Sequence, residues 1–275
     1  MDEFLTAMAM ATQDRARGRV APTTRPPGAL TLTDLTWRVG GMSIVNDVTL
    51  HVAPGEMMAL IGPNGAGKTS LFNLITGFVR PTSGGIELDG RDVTKLAAHR
   101  RVPLGLGRTF QTSSVFGSMT VRENVEIAAA AARHGAYGSL GLWRRIGAAD
   151  RTRAAEALHR TRLAHRAEAM AATLAHGEKR KLELAILLAG ASSVVLLDEP
   201  MAGMAMEEVP DLTELIREIH RGGATVLMVE HHMEVVLGLA QRVAVLHHGE
   251  LIACGSPDEV TADQAVREAY LGEPL

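Results

Sequence analysis

Gly62-Pro63-Asn64-Gly65-Ala66-Gly67-Lys68-Thr69 decides the fold. It has the form G-x-x-x-x-G-K-[ST]. The short apolar run Met57-Met58-Ala59-Leu60-Ile61 precedes it, and helical spacing over Ser70 to Gly77 follows. Strand, glycine-rich turn and helix are the context that a phosphate loop requires. Glycines let backbone N–H groups approach phosphate oxygens with no Cβ in the way. The first turn of the helix adds unpaired N–H groups and the positive end of its dipole. Lys68 supplies a cation for the β- and γ-phosphates, and Thr69 offers a hydroxyl to Mg²⁺. Gly62 through Thr69, with Ser70 next in the helix, are therefore the candidate nucleotide contacts.

Downstream, Val194-Val195-Leu196-Leu197-Asp198-Glu199 is an apolar strand ending in two acids. A strand of this kind delivers Asp198 to the sheet edge beside the phosphate loop, where it can hold Mg²⁺. Glu199 can then orient or deprotonate an attacking water. This run, Ser193–Leu197, and two more at Ala224–Val229 and Arg242–Leu246 alternate with helical segments such as Leu212–His220. Strand-helix alternation predicts a parallel sheet covered by helices, an α/β core. Upstream, Leu30–Trp37 alternates at period two and reads as a strand, as does Ser43–Val52. The stretch from about 120 to 173 is rich in Ala, Arg and Glu and reads as helical, interrupted at Gly135–Gly147. The expected organisation is a tail over 1–29, a core over 30–111 and 174–275, and a helical subdomain over 112–173.

The 275 residues carry a net charge of −3, which gives no global field to draw in nucleic acid. The single cysteine, Cys254, cannot form an internal disulfide. No stretch reaches the roughly 18 uninterrupted apolar residues needed to cross a bilayer. His231-His232 and His247-His248 are adjacent pairs, expected to point to opposite faces and not to chelate, so Mg²⁺ is the metal expected.

Leu174-Ala175-His176-Gly177-Glu178 opening a helix, shortly before the acidic strand, resembles the ABC signature. Arg108-Thr109-Phe110-Gln111 resembles the Q-loop, and Val229-Glu230-His231-His232-Met233 the switch-histidine region. In order and spacing, residues 30–275 look like an ABC ATPase domain. The resemblance implies a P-loop NTPase core with a mostly parallel sheet, an antiparallel β subdomain and an inserted α-helical subdomain. It also implies a head-to-tail pair of ATPase subunits, with ATP between the phosphate loop of one and Ala175, His176, Gly177 and Glu178 of the other. Gln111 would sense Mg²⁺ and water, and His231 would contact the γ-phosphate beside Glu199. Gly105–Gln111, Met119–Val125, Asp198–Met204 and Ala269–Glu273 look most like the ATPases of branched-chain amino-acid importers. That subgroup implies two transmembrane permease subunits and a second ATPase subunit, identical or not. An extracytoplasmic solute-binding protein would act indirectly. The chain would sit peripherally on the cytoplasmic face of the inner membrane. Urea-import and lipopolysaccharide-export ATPases are similar.

Four positions depart from the pattern. Ala175 replaces the signature serine, Glu178 replaces glutamine, and Ala205 stands where Asp or Asn is usual. Val39 takes the place of the adenine-stacking aromatic, with Trp37 two residues earlier on the same strand face. A protonated His176 would partly offset Glu178. Ala175, Glu178 and Ala205 support an alternative reading, a degenerate nucleotide-binding partner with little turnover of its own. Lys68, Asp198, Glu199 and His231 support the active ATPase.

Overall fold

The computed structural model describes residues 26–109, 115–134 and 146–271. Residues 1–25, the Q-loop pair Phe110-Gln111 and most of the Gly135–Gly147 interruption lie outside them. Among the described residues the strands form two sheets. The first is antiparallel, in the order β2 (Met42–Val52), β1 (Leu30–Val39), β4 (Ser83–Leu88), β5 (Arg91–Asp92). The second runs β10 (Glu250–Gly255), β9 (Arg242–His247), β3 (Met57–Ile61), β8 (Thr225–Val229), β7 (Val194–Asp198), β6 (Leu106–Arg108). Its pairs are parallel except β9 with β10. The expected α/β fold class, parallel core with antiparallel β subdomain and helical subdomain, is what is observed.

The strands β3, β7 and β8 are buried throughout because both faces are covered. Side chains alternate between the two covers. Leu60, Val194, Leu196, Leu227 and Val229 face the first sheet and helix α1 (Lys68–Thr76), which inserts Leu71, Phe72, Leu74 and Ile75. Val195, Leu197, Val226 and Met228 face the other way, onto α6 (Val209–Arg221). That helix presents Leu212, Leu215, Ile216 and Ile219 at i, i+3, i+4 and i+7.

The helical subdomain has its own core. Helices α3 (Val121–His134) and α4 (Ala148–Arg160) bring Val121, Val125, Ala154 and Leu158 against α5 (His176–Ala189). Thr120 and Glu123 form a reciprocal capping box that starts α3. Helix α5 serves both units. Its Leu182, Ala185 and Ala189 face the subdomain, while Leu184 and Leu187 face the sheet core. A four-residue helix, α2 (Ala98–Arg101), α7 (Met233–Leu239), α8 (Pro257–Ala262) and α9 (Gln264–Leu271) complete the described α-helices.

Gly28 and Ala29, at the end of the expected tail, are tied to the core. The Thr225 hydroxyl donates to Gly28 O at 2.6 Å, and Ala29 N–H donates to Asp89 Oδ1 at 2.6 Å. The histidine rings of His247 and His248 do not part to opposite faces. His248 sits in the turn after β9 with φ +47°, and the ring centroids lie 4.1 Å apart.

Candidate functional site

The phosphate loop leaves β3 and is clamped between β2 and the β9–β10 turn. A Cβ on Gly62 would lie 2.0 Å from Leu246 O, so only glycine fits. Gly67 has φ +103°, and a Cβ there would come 2.7 Å from Ile44 O. Gly249 N–H donates to Ala66 O and holds the far side. Helix α1 then starts with no side-chain cap and no acidic residue in its first turn. Its leading N–H groups are thus left for an external anion. The Lys68 ammonium folds back onto its own loop, donating to Gly62 O at 2.5 Å and Pro63 O at 3.0 Å. Burial lowers the Lys68 pKa, and the charges of Glu199 and Asp198 work in the opposite direction.

Asp198 ends β7 and is buried. Its N–H donates to Thr109 Oγ1 at 3.2 Å. Glu199 has left-handed backbone, φ +47°, which is uncommon for a non-glycine residue. Its N–H donates to Val229 O, which pins the turn to β8. His231 Nε2 lies 2.8 Å from Glu199 Oε1. The structure therefore brings Lys68, Asp198, Glu199 and His231 to one edge of the sheet.

Two residues quoted within the motifs but given no role prove central. Glu230 is buried and accepts N–H bonds from Met201 at 2.9 Å, His231 at 2.9 Å and His232 at 3.2 Å. One carboxylate so fixes the loops on either side of the Glu199–His231 pair. Arg108, at the end of β6, makes a 2.8 Å ion pair with Asp198. The parallel pairing of Arg108 with Leu196 sets that contact. A charged residue directly after the apolar strand β8 is a cue for Glu230, whereas the three-residue strand β6 gives none for Arg108.

The signature residues stand apart from the phosphate loop. Ala175 is the N-cap of α5 and has no side-chain acceptor. Glu178 Oε2 takes the Ala175 N–H at 3.0 Å, half of a capping box. The cation beside Glu178 is Arg166, at 3.2 Å, and not His176. The His176 ring meets Ala202 O at 2.9 Å. A Cβ on Gly177 would lie 2.6 Å from Glu208 Oε1. Val39 is half exposed at the tip of β1, while Trp37 packs against the core. The register breaks between Trp37 and Arg38, where the extra residue, Ile44, lies on β2. Ala205 lies in an exposed loop, and Gln111 falls outside the described residues.

A second feature is an apolar cleft of about 520 Å³ between the core and the helical subdomain. Phe78, Ala98, Val102, Leu106, Ala128 and Ile186 line it. Phe78 and Val102 are exposed. Among the described residues, no helix is long and apolar enough to cross a membrane.

A phosphate loop on a parallel sheet, facing two strand-end acids and a histidine, defines a P-loop nucleotide hydrolase. The family model described as ABC transporter matches residues 45–202, and one described as Branched-chain amino acid ATP-binding cassette transporter matches residues 250–274. The chain is 38% identical over 249 residues to the high-affinity branched-chain amino acid transport ATP-binding protein LivG of Salmonella typhimurium, covering 89% of this chain and 98% of that one. It is 36% identical to the lipopolysaccharide export system ATP-binding protein LptB of Acidithiobacillus ferridurans, over 84% of this chain and 91% of that one. A nucleotide-free ATP-binding cassette from an ABC transporter superposes with a TM-score of 0.78 at 28% identity, covering 90% of this chain and all of that one. The chain belongs to the ABC transporter family of ATP-binding cassettes and is an ATPase.

Proposed function

We propose that this chain is the ATP-hydrolysing subunit of an importer for branched-chain or related amino acids. The observation that carries the ATPase chemistry is the Glu199–His231 contact at the sheet edge that also holds Asp198 and Lys68. The import assignment rests on the likeness to LivG and on the carboxy-terminal match over residues 250–274.

The residues present fit Mg-ATP. Helix α1 opens bare, Gly62 and Gly67 clear the backbone, and a buried carboxylate stands opposite. Thr69 and Asp198 would hold Mg²⁺, with Gln111 nearby in sequence to the Q-loop arginine. The ion would neutralise phosphate charge and orient the γ-phosphate. Lys68 would leave the Gly62 and Pro63 carbonyls for phosphate oxygens. Glu199 would take a proton from the attacking water, with His231 holding its carboxylate oriented. Glu230 keeps both loops in place for that step. Ala175, His176, Gly177 and Glu178 would close over the nucleotide of a second ATPase subunit. ATP would favour the closed pair and hydrolysis would reopen it.

The apolar cleft is the surface offered to the two permease subunits, which would hold the chain at the cytoplasmic face of the inner membrane. A solute-binding protein would meet the permeases on the other side, and no nucleic acid takes part. The degenerate-partner reading keeps one observation in its favour: the helix end offered to the second subunit carries Glu178 and lacks the serine hydroxyl.

The test is co-purification of the full chain in mild detergent, followed by uptake in proteoliposomes. Two multi-span subunits and ATP-dependent leucine uptake are expected. Recovery of a lipopolysaccharide-type exporter would overturn the import assignment while leaving the ATPase intact.

A further inference from the structure

Asp198 is a carboxylate only 2% exposed, and a charge so buried needs a partner. Lys68 does not supply it by contact, since its ammonium is bonded to two carbonyls of its own loop. Arg108 does. Its Nη2 meets Asp198 Oδ2 at 2.8 Å, and its side chain is itself only 6% exposed. The guanidinium is also anchored independently of Asp198. Its Nη1 donates to Asn73 Oδ1 at 2.8 Å and to Thr76 Oγ1 at 3.1 Å, both on α1. The guanidinium carbon lies 5.6 Å from the centre of the Phe72 ring, a cation–π distance.

That second anchor sets the consequence. An arginine held only by Asp198 would swing away when a metal arrived. One fixed to the phosphate-loop helix stays, and its charge remains beside the carboxylate that the metal would use. We infer that Arg108 is a built-in counter-ion of Asp198 that weakens the site's hold on Mg²⁺. It would thereby favour release of the Mg-nucleotide product, while keeping the buried acid paired when no metal is bound. Arg108 is a positioning residue here, acting through Asp198. The inference rests on the proposed Mg-ATP reading of the site.

The test is a Mg²⁺ titration of methylanthraniloyl-ADP fluorescence on the full chain, with thermal unfolding recorded with and without Mg²⁺. In Arg108→Gln the Mg²⁺ concentration for half-saturation falls about tenfold, the low end of what a neighbouring unit charge does to a carboxylate's affinity for a cation. The metal-free variant melts below the parent chain, and added Mg²⁺ narrows the gap. A purely structural arginine would lower the melting temperature without moving the Mg²⁺ midpoint. An unchanged or raised midpoint overturns the inference. If Arg108→Gln does not fold, Arg108→Lys decides: it keeps the charge but loses the two-sided hold, and a smaller fall of about threefold follows. An unchanged midpoint there overturns the inference equally. Absence of nucleotide binding by the parent chain at any Mg²⁺ would instead sink the underlying functional reading.

Discussion

The two helices proposed to face phosphate begin differently. Helix α1 opens from Gly67 with no cap and no acid in its first turn. Helix α5 opens from Ala175, and Glu178 turns back to take the Ala175 N–H and to pair with Arg166. The first end is bare and electropositive, the second partly satisfied by its own side chain. In a head-to-tail pair each nucleotide would see one helix end from each subunit. On the proposed reading, this chain would offer a strong phosphate loop to its own nucleotide and a weaker helix end to its partner's. The asymmetry lies within one polypeptide, and substitutions on either side can break or sharpen it.

The largest effect is expected on the phosphate-loop side. Glu199→Gln should cut turnover by about 10²–10⁴-fold, the range for loss of a general base, with nucleotide affinity retained. Steady-state phosphate release and nucleotide binding measured on one preparation separate the two quantities. Turnover that survives unchanged would move the hydrolytic centre away from this chain's own strand end.

Glu230→Gln comes next. The buried carboxylate accepts from two adjacent backbone N–H groups and from Met201 across the sheet edge. Bonds to a charged acceptor contribute about 1.5–3 kcal/mol each, so the amide should lower both stability and turnover. Chemical denaturation and phosphate release should fall together. A loss of stability with full turnover would show that the two loops do not need a common tether.

The pH dependence should be smaller and one-sided. Burial lowers the Lys68 pKa, so its ammonium deprotonates at lower pH than that of a free lysine. Nucleotide affinity is therefore complete below that lowered pKa and declines as pH rises through it. Lys68→Arg, which stays charged, should abolish the decline even if its affinity is lower. Binding that stays flat into the alkaline range in the parent chain would remove Lys68 as the phosphate-facing cation.

What could be read without the structure follows element strength. Strand β3 was expected at its observed bounds because a continuous apolar run beside a glycine loop has few other uses. The acid-ended β7 was legible for the same reason. Strand β6 was not, since Leu106-Gly107-Arg108 is three residues long with a glycine in the middle. Strand β4 opens Ser83-Gly84-Gly85, which reads as a turn. Helix α8 carries a capping box, Ser256 with Glu259 and Pro257 between. Within the site, Lys68, Asp198 and Glu199 could be chosen by chemistry alone, and His231 by the resemblance of its stretch to the switch-histidine region. Arg108 could not, because its role comes from a cross-strand register and from three residues of α1. The partner of Glu178 was also hidden. His176 is two residues away in sequence, yet its ring turns to Ala202 while Arg166 arrives from the short 3-10 helix Ala164–Arg166.

Glu178→Gln is the smallest change and bears most directly on the contrast between the two helix ends. Glutamine can still accept the Ala175 N–H, so the half-cap survives. The lost ion pair is partly exposed, at 36% and 28%, and such pairs contribute only about 0–1 kcal/mol, so the fold should hold. The anionic charge at the helix end disappears, leaving a dipole end worth roughly 0.3–1 kcal/mol toward an incoming phosphate. ATP-driven pairing, followed by size-exclusion chromatography in the Glu199→Gln background, should tighten by up to about fivefold on that figure. Arg166→Ala removes the neighbouring cation instead and should weaken pairing. Equal pairing in both variants would mean that the two helix ends are matched in strength, and that the weak signature belongs only to the sequence.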